Sequence, residues 1–201
     1  MTSPEPGIGE DTTAKARIRG AALTLFAEYG EDGTSMRAIA AAAGVNVGLL
    51  VHYFKTKDGI RDAVEELVVE YHRQAIASVD VDDPQTDVAA ARDAAVAAML
   101  ADNPQVVNYM RRAILDPGGA KGQMLQRLTD LSLSEITNLR AAGVASSRPT
   151  EADQTIRLMV RQLGQLFLQP MVDAMWAQLA GPNASADEKP ILAVTVSDGG
   201  K

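Results

Sequence analysis

The stretch from Ser35 to Lys57, SMRAIAAAAGVNVGLLVHYFKTK, leaves this chain little freedom in how it folds. It reads as two short helices joined by a tight turn at Gly44. Thr34 or Ser35 can cap the first helix, because a side-chain oxygen there accepts an orphan backbone N–H. Asn46 can cap the second in the same way. The alanine run Ala40–Ala43 lets two helices approach closely, and Gly44 supplies the positive φ that the turn needs. Val45, Leu50 and Phe54 share one face of the second helix and can anchor it, leaving Val47, Gly48, Val51 and Tyr53 turned away. Two helices so related make a helix-turn-helix, predicted at about residues 34 to 54, whose second helix is shaped for a major groove.

The rest of the chain has helical periodicity. A first helix is predicted from about Thr13 to Tyr29, with Ile18, Ala22, Leu25, Phe26 and Tyr29 on one face and Gly30 as its stop. A long helix follows from Lys57 to about Ser78, with Ile60, Val64, Leu67, Val68, Tyr71 and Ala75 facing inward. The acidic segment Asp80–Pro84 ends it and reads as the joint between regions. Further helices are predicted from Pro84 to about Ala101, from a start at Asn103-Pro104 to Leu115, over about 123–142 and over about 150–180. Pro170 must kink or split the last of these. The loop DPGGAKG separates the middle pair. Residues 1–11 read as a disordered leader and residues 181–201 as a loose tail, in which ILAVTV can dock as an extended piece. Aromatic residues are only 4% of the chain, so the core must be built from Ala, Leu, Val, Ile and Met, which suits packed helices. The expected fold is all-α. A three-helix N-terminal domain (12–56) carries the helix-turn-helix, and a long helix joins it to a second helical domain (57–180).

The net charge of −7 at first argues against a nucleic-acid partner, but its distribution does not. Thr12–Arg61 holds seven basic residues (Lys15, Arg17, Arg19, Arg37, Lys55, Lys57, Arg61) against four acidic ones, a net +3. Residues 62–201 hold 12 basic and 19 acidic residues, a net −7, and the leader adds −3. There is no cysteine, which excludes disulfides, thiolate metal sites and a cysteine nucleophile. No apolar run is long enough to cross a membrane, and the N-terminus lacks the features of a signal peptide, so a cytoplasmic location is expected. Two distant histidines and no glycine-rich phosphate loop leave little for an enzyme. No metal site and no cofactor are expected.

The segment Thr13–Val64 resembles the DNA-binding region of the TetR family. The residues that carry the likeness are Ala21-Ala22-Leu23, Leu25–Gly30, Thr34–Ala40, Ala43-Gly44-Val45, Gly48, His52-Tyr53-Phe54 and Lys57-Asp58. The resemblance implies a regulator that binds a palindromic DNA operator as a homodimer and is released by a small molecule. It places Ser35, Met36 and the start of the second helix on a phosphate, and Arg37 on a base or phosphate. Val47, Gly48, Leu49, Val51 and Tyr53 would face the groove, His52 would meet groove or phosphate, and Lys57 would pair with a phosphate. Asn46 reads as a helix cap or as a base reader. Where the family often has Lys, Pro or Gln, Thr, and Tyr, this chain has Val47, Leu49 and Val51. The reading face is therefore apolar, suited to thymine methyls more than to many hydrogen bonds.

The second region is the expected ligand-binding and dimerisation domain. Met99, Tyr109, Met110, Arg111, Phe167, Met171, Met175 and Trp176 are candidates to line an adaptable apolar pocket, or simply core. Leu128, Ile136, Leu139, Ile156, Met159, Leu163 and Leu166 are candidates for a four-helix dimer interface. Two other readings stand beside the repressor. One is a helical ligand-binding protein of the same fold that has lost specific DNA binding, which the apolar reading face favours. The other is an all-α enzyme.

Overall fold

A computed structural model describes residues 8–81, 87–115, 123–181 and 185–197. Among the described residues there are eight α-helices and no strand. They are α1 (Ile8–Tyr29), α2 (Met36–Ala42), α3 (Val47–Phe54), α4 (Lys57–Ala77), α5 (Val88–Asp102), α6 (Pro104–Leu115), α7 (Met124–Ala141) and α8 (Glu151–Leu179). The expected leader, acidic joint and DPGGAKG loop fall wholly or partly outside the described residues. What is described of the leader is helical, since α1 already runs from Ile8, with no proline between Pro6 and Tyr29 to stop it. The chain packs as two compact units that part between Arg127 and Leu128, inside α7. The acidic segment near residue 80 is not where they part: α5 packs on α4 and α6 packs on α1, all within the first unit.

The first unit is built around α1 and α4. Ile18, Ala22, Leu23 and Phe26 of α1 meet Ile39 of α2, Leu50 of α3, Ile60, Val64 and Val68 of α4, and Val106 and Met110 of α6 in one apolar core. Tyr29, expected on the inward face, is exposed, and Leu23 is buried instead, because α1 is covered on more than one side. The inward face of α4 is likewise rotated from the expected one. It comprises Ile60, Arg61, Val64, Glu65, Val68, Val69 and His72, while Leu67, Tyr71 and Ala75 are half-buried.

Three polar side chains on that face have partners within the unit, although the buried Nε of Arg61 has none among the described residues. Glu65 has no exposed surface. Both its carboxylate oxygens accept from the Gln123 backbone N–H (3.1 and 3.0 Å), and one accepts from Arg127 Nε at 3.1 Å. The carboxylate thus ties α4 to the first turn of α7. Burial nonetheless raises its pKa above the ordinary carboxyl value. Arg61 is bound by Glu31 and Asp58. The Nδ1 atom of His72 lies 2.8 Å from the Val68 carbonyl, so the neutral ring donates from Nδ1.

In the second unit, Arg140 donates to the carbonyls of Pro149 (3.0 Å) and Ser147 (3.2 Å), closing the turn between α7 and α8. Thr150 caps α8 by accepting from the Asp153 N–H at 3.1 Å. Pro170 does not split α8, which stays one helix of 29 residues. The C-terminal segment lies along it. Lys189 pairs with Asp173 at 3.0 Å. Gln169 donates to the Pro190 carbonyl (3.2 Å) and accepts from the Leu192 N–H (2.7 Å). Val194 fills the space a Cβ on Gly164 would take, and Arg157 donates to the Val196 carbonyl. Leu192, Val194 and Val196 are half-buried while Ile191, Ala193 and Thr195 are exposed, the period-two pattern of an extended strand. ILAVTV is therefore docked, on the part of α8 that precedes Pro170, while Lys189 just before it reaches Asp173 beyond the proline.

Two outcomes are expected. Ending the chain at Glu188 should speed amide exchange in α8 beyond Pro170, and Pro170→Ala should restore protection by returning the missing N–H. Hydrogen exchange read by mass spectrometry checks both. Burial lowers the His72 pKa below its ordinary value of 6.5. Its stabilising contribution is therefore full above that value and lost as pH falls. The urea midpoint should drop between about pH 7 and about pH 5.5, and His72→Leu should remove that part of the drop.

Candidate nucleic-acid interface

The geometry of residues 34–57 follows from its caps. Thr34 is buried, and its hydroxyl donates to the carbonyls of Gly30 (2.7 Å) and Leu25 (3.3 Å), ending α1. Ser35 caps α2 by accepting from the Ala38 N–H at 3.1 Å. At the other end, Gly44 takes φ +64. Its N–H donates to Ala41 (3.1 Å), and the Val45 N–H donates to Ala40 (3.0 Å). That pair of bonds is the Schellman ending of a helix. The Oδ1 atom of Asn46 then accepts from the Leu49 N–H at 2.7 Å and starts α3, so its side chain serves as a cap. The two helices bend by 109° at the break, within the range of a helix-turn-helix.

Leu50 and Phe54 sink into the core and hold α3. Val47 (38% exposed), Gly48, Val51 (40%) and His52 face solvent, and Leu49 and Tyr53 are half-buried beside them. The rings of His52 and Tyr53 lie edge to face, 5.4 Å between centroids. The exposed face is thus apolar in its middle and polar at its C-terminal end. Met36 is half-buried at the start of α2. Arg37 is exposed, with no hydrogen-bond or ion-pair partner among the described residues. Lys57, half-buried, opens α4 behind the Thr56 cap. An open helix start, a solvent-facing second helix and unpaired cations on its flanks suit a polyanion with a groove.

Four residues set this arrangement in ways the sequence does not reveal. Arg112 is among them, since the Arg111-Arg112 pair reads from sequence as a source of a salt bridge inside the bundle or an anchor for an acidic ligand. Arg61, on α4, reaches Glu31 at 3.2 Å in the corner between α1 and α2. Arg112, on α6, donates from Nε to the Ala27 carbonyl and from Nη2 to the Glu28 carbonyl, both at 3.0 Å. Those carbonyls end α1 without partners in their own helix, and a cation there also suits the helix dipole. Lys55 and Gly59 shape the joint between α3 and α4. Lys55 alone among described non-glycine residues has positive φ, at 63° with ψ −55°. Such a residue costs about 1–3 kcal/mol unless its surroundings impose it. None of the four departs from ordinary composition, so only the fold reveals them.

The other predicted residues are dispersed. Of the pocket candidates, Tyr109 and Met110 are buried in α6 and Met99 and Arg111 are half-buried, all in the first unit. Phe167 and Trp176 are half-buried, and Met171 and Met175 exposed, in the second. Tyr109 stacks on Phe26, ring centroids 6.5 Å apart, and its hydroxyl is buried with no hydrogen-bond partner among the described residues. Of the interface candidates, Leu128, Ile136 and Met159 are buried, Leu139, Leu163 and Leu166 half-buried, and Ile156 exposed. Among the described residues no cluster of three His, Asp or Glu side chains could hold a metal ion, and no single helix is long and apolar enough to cross a membrane.

The first unit is thus a helix-turn-helix domain of the DNA-binding kind. A family model described as bacterial regulatory proteins, tetR family, matches residues 18–64. The HTH-type transcriptional regulatory protein RaaS of Mycobacterium tuberculosis is 33% identical over 144 residues, 71% of this chain and 65% of RaaS. A TetR-family transcriptional regulator of Syntrophomonas wolfei has the same fold, with a TM-score of 0.65 at 20% identity over 82% of this chain and 86% of that one. The multidrug binding protein EbrR, solved with imidazole, has a TM-score of 0.55 at 22% identity over 80% of each chain. At those identities the two solved structures speak for the fold alone. Residues 18–64 thus carry the likeness to the TetR family of DNA-binding transcriptional regulators, and the chain spans 65% of the length of RaaS.

Arg112→Ala should leave the fold intact and weaken DNA binding by about threefold to tenfold, the equivalent of one or two lost hydrogen bonds. Fluorescence anisotropy titrations against the wild type check this.

Proposed function

We propose that this chain is a cytoplasmic, dimeric, ligand-responsive repressor that reads a palindromic operator with α3. One observation carries the reading. The outward side of α3 (Val47, Gly48, Val51, His52) meets solvent while its inward side is locked in the core, and the unpaired Arg37 stands beside it. Ser35 and the α2 start would take a phosphate, Lys57 another, and Arg37 a base edge or phosphate. Val47, Leu49 and Val51 would meet thymine methyls.

Dimerisation is supported by a stripe on α8, where Ile156, Val160, Leu168, Met171 and Met175 are exposed along one side of the helix. A soluble monomer seldom leaves so long an apolar row uncovered. A second copy, related by a two-fold axis, would cover it and present two α3 helices to two half-sites. Small-molecule response is supported by the buried, unpaired Tyr109 hydroxyl and by EbrR, itself described as binding multiple drugs. The domain division that fits this reading keeps residues 12–56 for DNA and 57–180 for ligand and dimer.

The second reading, a protein of the same fold without specific DNA binding, is favoured by the apolar centre of the α3 face. A duplex fragment from upstream of the chain's own gene separates the two. The repressor should bind it with an affinity that falls steeply between about 50 and about 200 mM salt. Arg37→Ala should weaken binding by about fivefold or more and flatten the salt slope by about one unit. Absent or salt-independent binding by the wild type would sink the repressor reading.

A further inference from the structure

We propose that Lys55 and Gly59 form a strained elbow that fixes the angle between α3 and α4, and that both are positioning residues for DNA binding. Only one residue, Lys55, lies between the end of α3 and the Thr56 cap of α4. The chain turns there in the tightest way open to it. The Thr56 N–H donates back to the Phe54 carbonyl at 2.6 Å, across Lys55 at φ 63° and ψ −55°. This is a γ-turn of the rare, positive-φ form, which a residue with a Cβ adopts only under constraint.

Gly59 supplies the constraint. A Cβ at Gly59 would sit 2.2 Å from the Phe54 carbonyl oxygen and 3.2 Å from its carbon. The backbone of the recognition helix's last residue therefore occupies the space of a missing side chain on α4. The Gly59 N–H meanwhile donates to Thr56 Oγ1 at 3.1 Å, which seats Gly59 in the capped first turn of α4. Phe54 and Ile60, on the two sides of the joint, are buried and hold it closed. A glycine in the first turn of a helix and a residue at positive φ are each unfavourable alone. Here each makes the other possible, and together they set where Tyr53 at the end of α3 stands relative to Lys57 at the start of α4.

Gly59→Ala must expel the Phe54 carbonyl, break the γ-turn bond and let Lys55 return to negative φ. The helix gains propensity and the turn loses strain, so the melting temperature should hold or rise. Affinity for the upstream duplex should nevertheless fall at least tenfold. Lys55→Pro dismantles the same turn from the other side, because proline fixes φ near −65°, and should lose affinity to a similar degree. Lys55→Asn tolerates positive φ and should bind within about threefold of the wild type, the loss of one exposed charge. Circular dichroism verifies folding before each titration, and if Gly59→Ala does not fold, Lys55→Pro decides. The elbow is overturned if the folded Gly59→Ala or Lys55→Pro protein binds within twofold of the wild type. It is equally overturned if their affinity falls only in step with a lower melting temperature. The proposal rests on the DNA-binding reading, and the failures differ: a silent wild type removes that reading, whereas a binding wild type with unaffected variants removes only the elbow.

Discussion

A carboxylate with no exposed surface sits in the middle of α4, and the first unit is arranged to keep it satisfied. Taking a charge out of water costs several kcal/mol before any partner is found, and removing one partner of such a pair costs about 3–5 kcal/mol. Glu65 recovers that cost only if α7 begins where Gln123 and Arg127 can reach it. The requirement fixes the rotation of α4 about its own axis. With Glu65 inward, Arg61 is inward too, one turn earlier, and falls beside Glu31 at the entrance to the helix-turn-helix. The same rotation buries His72 one turn past Val68. Glu65 thus acts with the buried Ile60, Val64 and Val68 in setting which face α4 presents to the DNA-binding helices.

This explains what could be read from the sequence and what could not. The helix-turn-helix was legible because it is specified locally, although Val45, expected on the second helix, lies half-buried in the turn before it. Ser35, Asn46 and Thr56 cap as their side-chain chemistry dictates, and Gly44 takes the one backbone conformation its place requires. The fold class was legible for the same reason: periodicity places helices. On the buried face of α4, Ile60, Val64 and Val68 were legible but Arg61, Glu65 and His72 were not, because hydrophobic periodicity assigns charged residues to solvent. Arg61 and Glu65 have partners 30 and 58 residues away, which no local pattern contains. Arg112 lies 85 residues from the carbonyl it serves. The docked tail was legible only in outline. ILAVTV alternates like a strand, but what seats it, the missing side chain of Gly164 and the amide of Gln169, belongs to α8.

The candidate interface divides along the same line. Residues proposed to touch DNA stand on the face that periodicity assigns to solvent, so the exposure of Val47, Gly48, Val51 and Arg37 was legible in the sequence. Residues that position that face act through backbone carbonyls, turns and absent side chains, and were not. The α8 stripe shows a third case. From sequence Ile156 is expected at a dimer interface and Met171 and Met175 in a pocket, yet all three lie exposed along one side of α8. Periodicity identifies an apolar face but cannot say whether a neighbour in the same chain covers it.

The apolar centre of α3 makes positioning count for more here than in a reader rich in hydrogen bonds. A side chain with a planar fork, such as arginine against guanine, pulls itself into register because the bonds are directional. A valine against a methyl group has no such pull: its contact energy is spread over distance and small per atom pair. Discrimination by Val47 and Val51 would therefore depend on how accurately the scaffold delivers them to the groove. The scaffold is built to that end. The Asn46 cap and the Gly44 turn hold the start of α3, and Leu50 and Phe54 pin its middle and end. In the joint to α4, a carbonyl fills the place a side chain would take on the next helix. The polar contacts that such a recognition helix forgoes with bases must then come from phosphate-facing groups on α2 and α4. Their placement relative to α3 is set by the same corner and the same elbow.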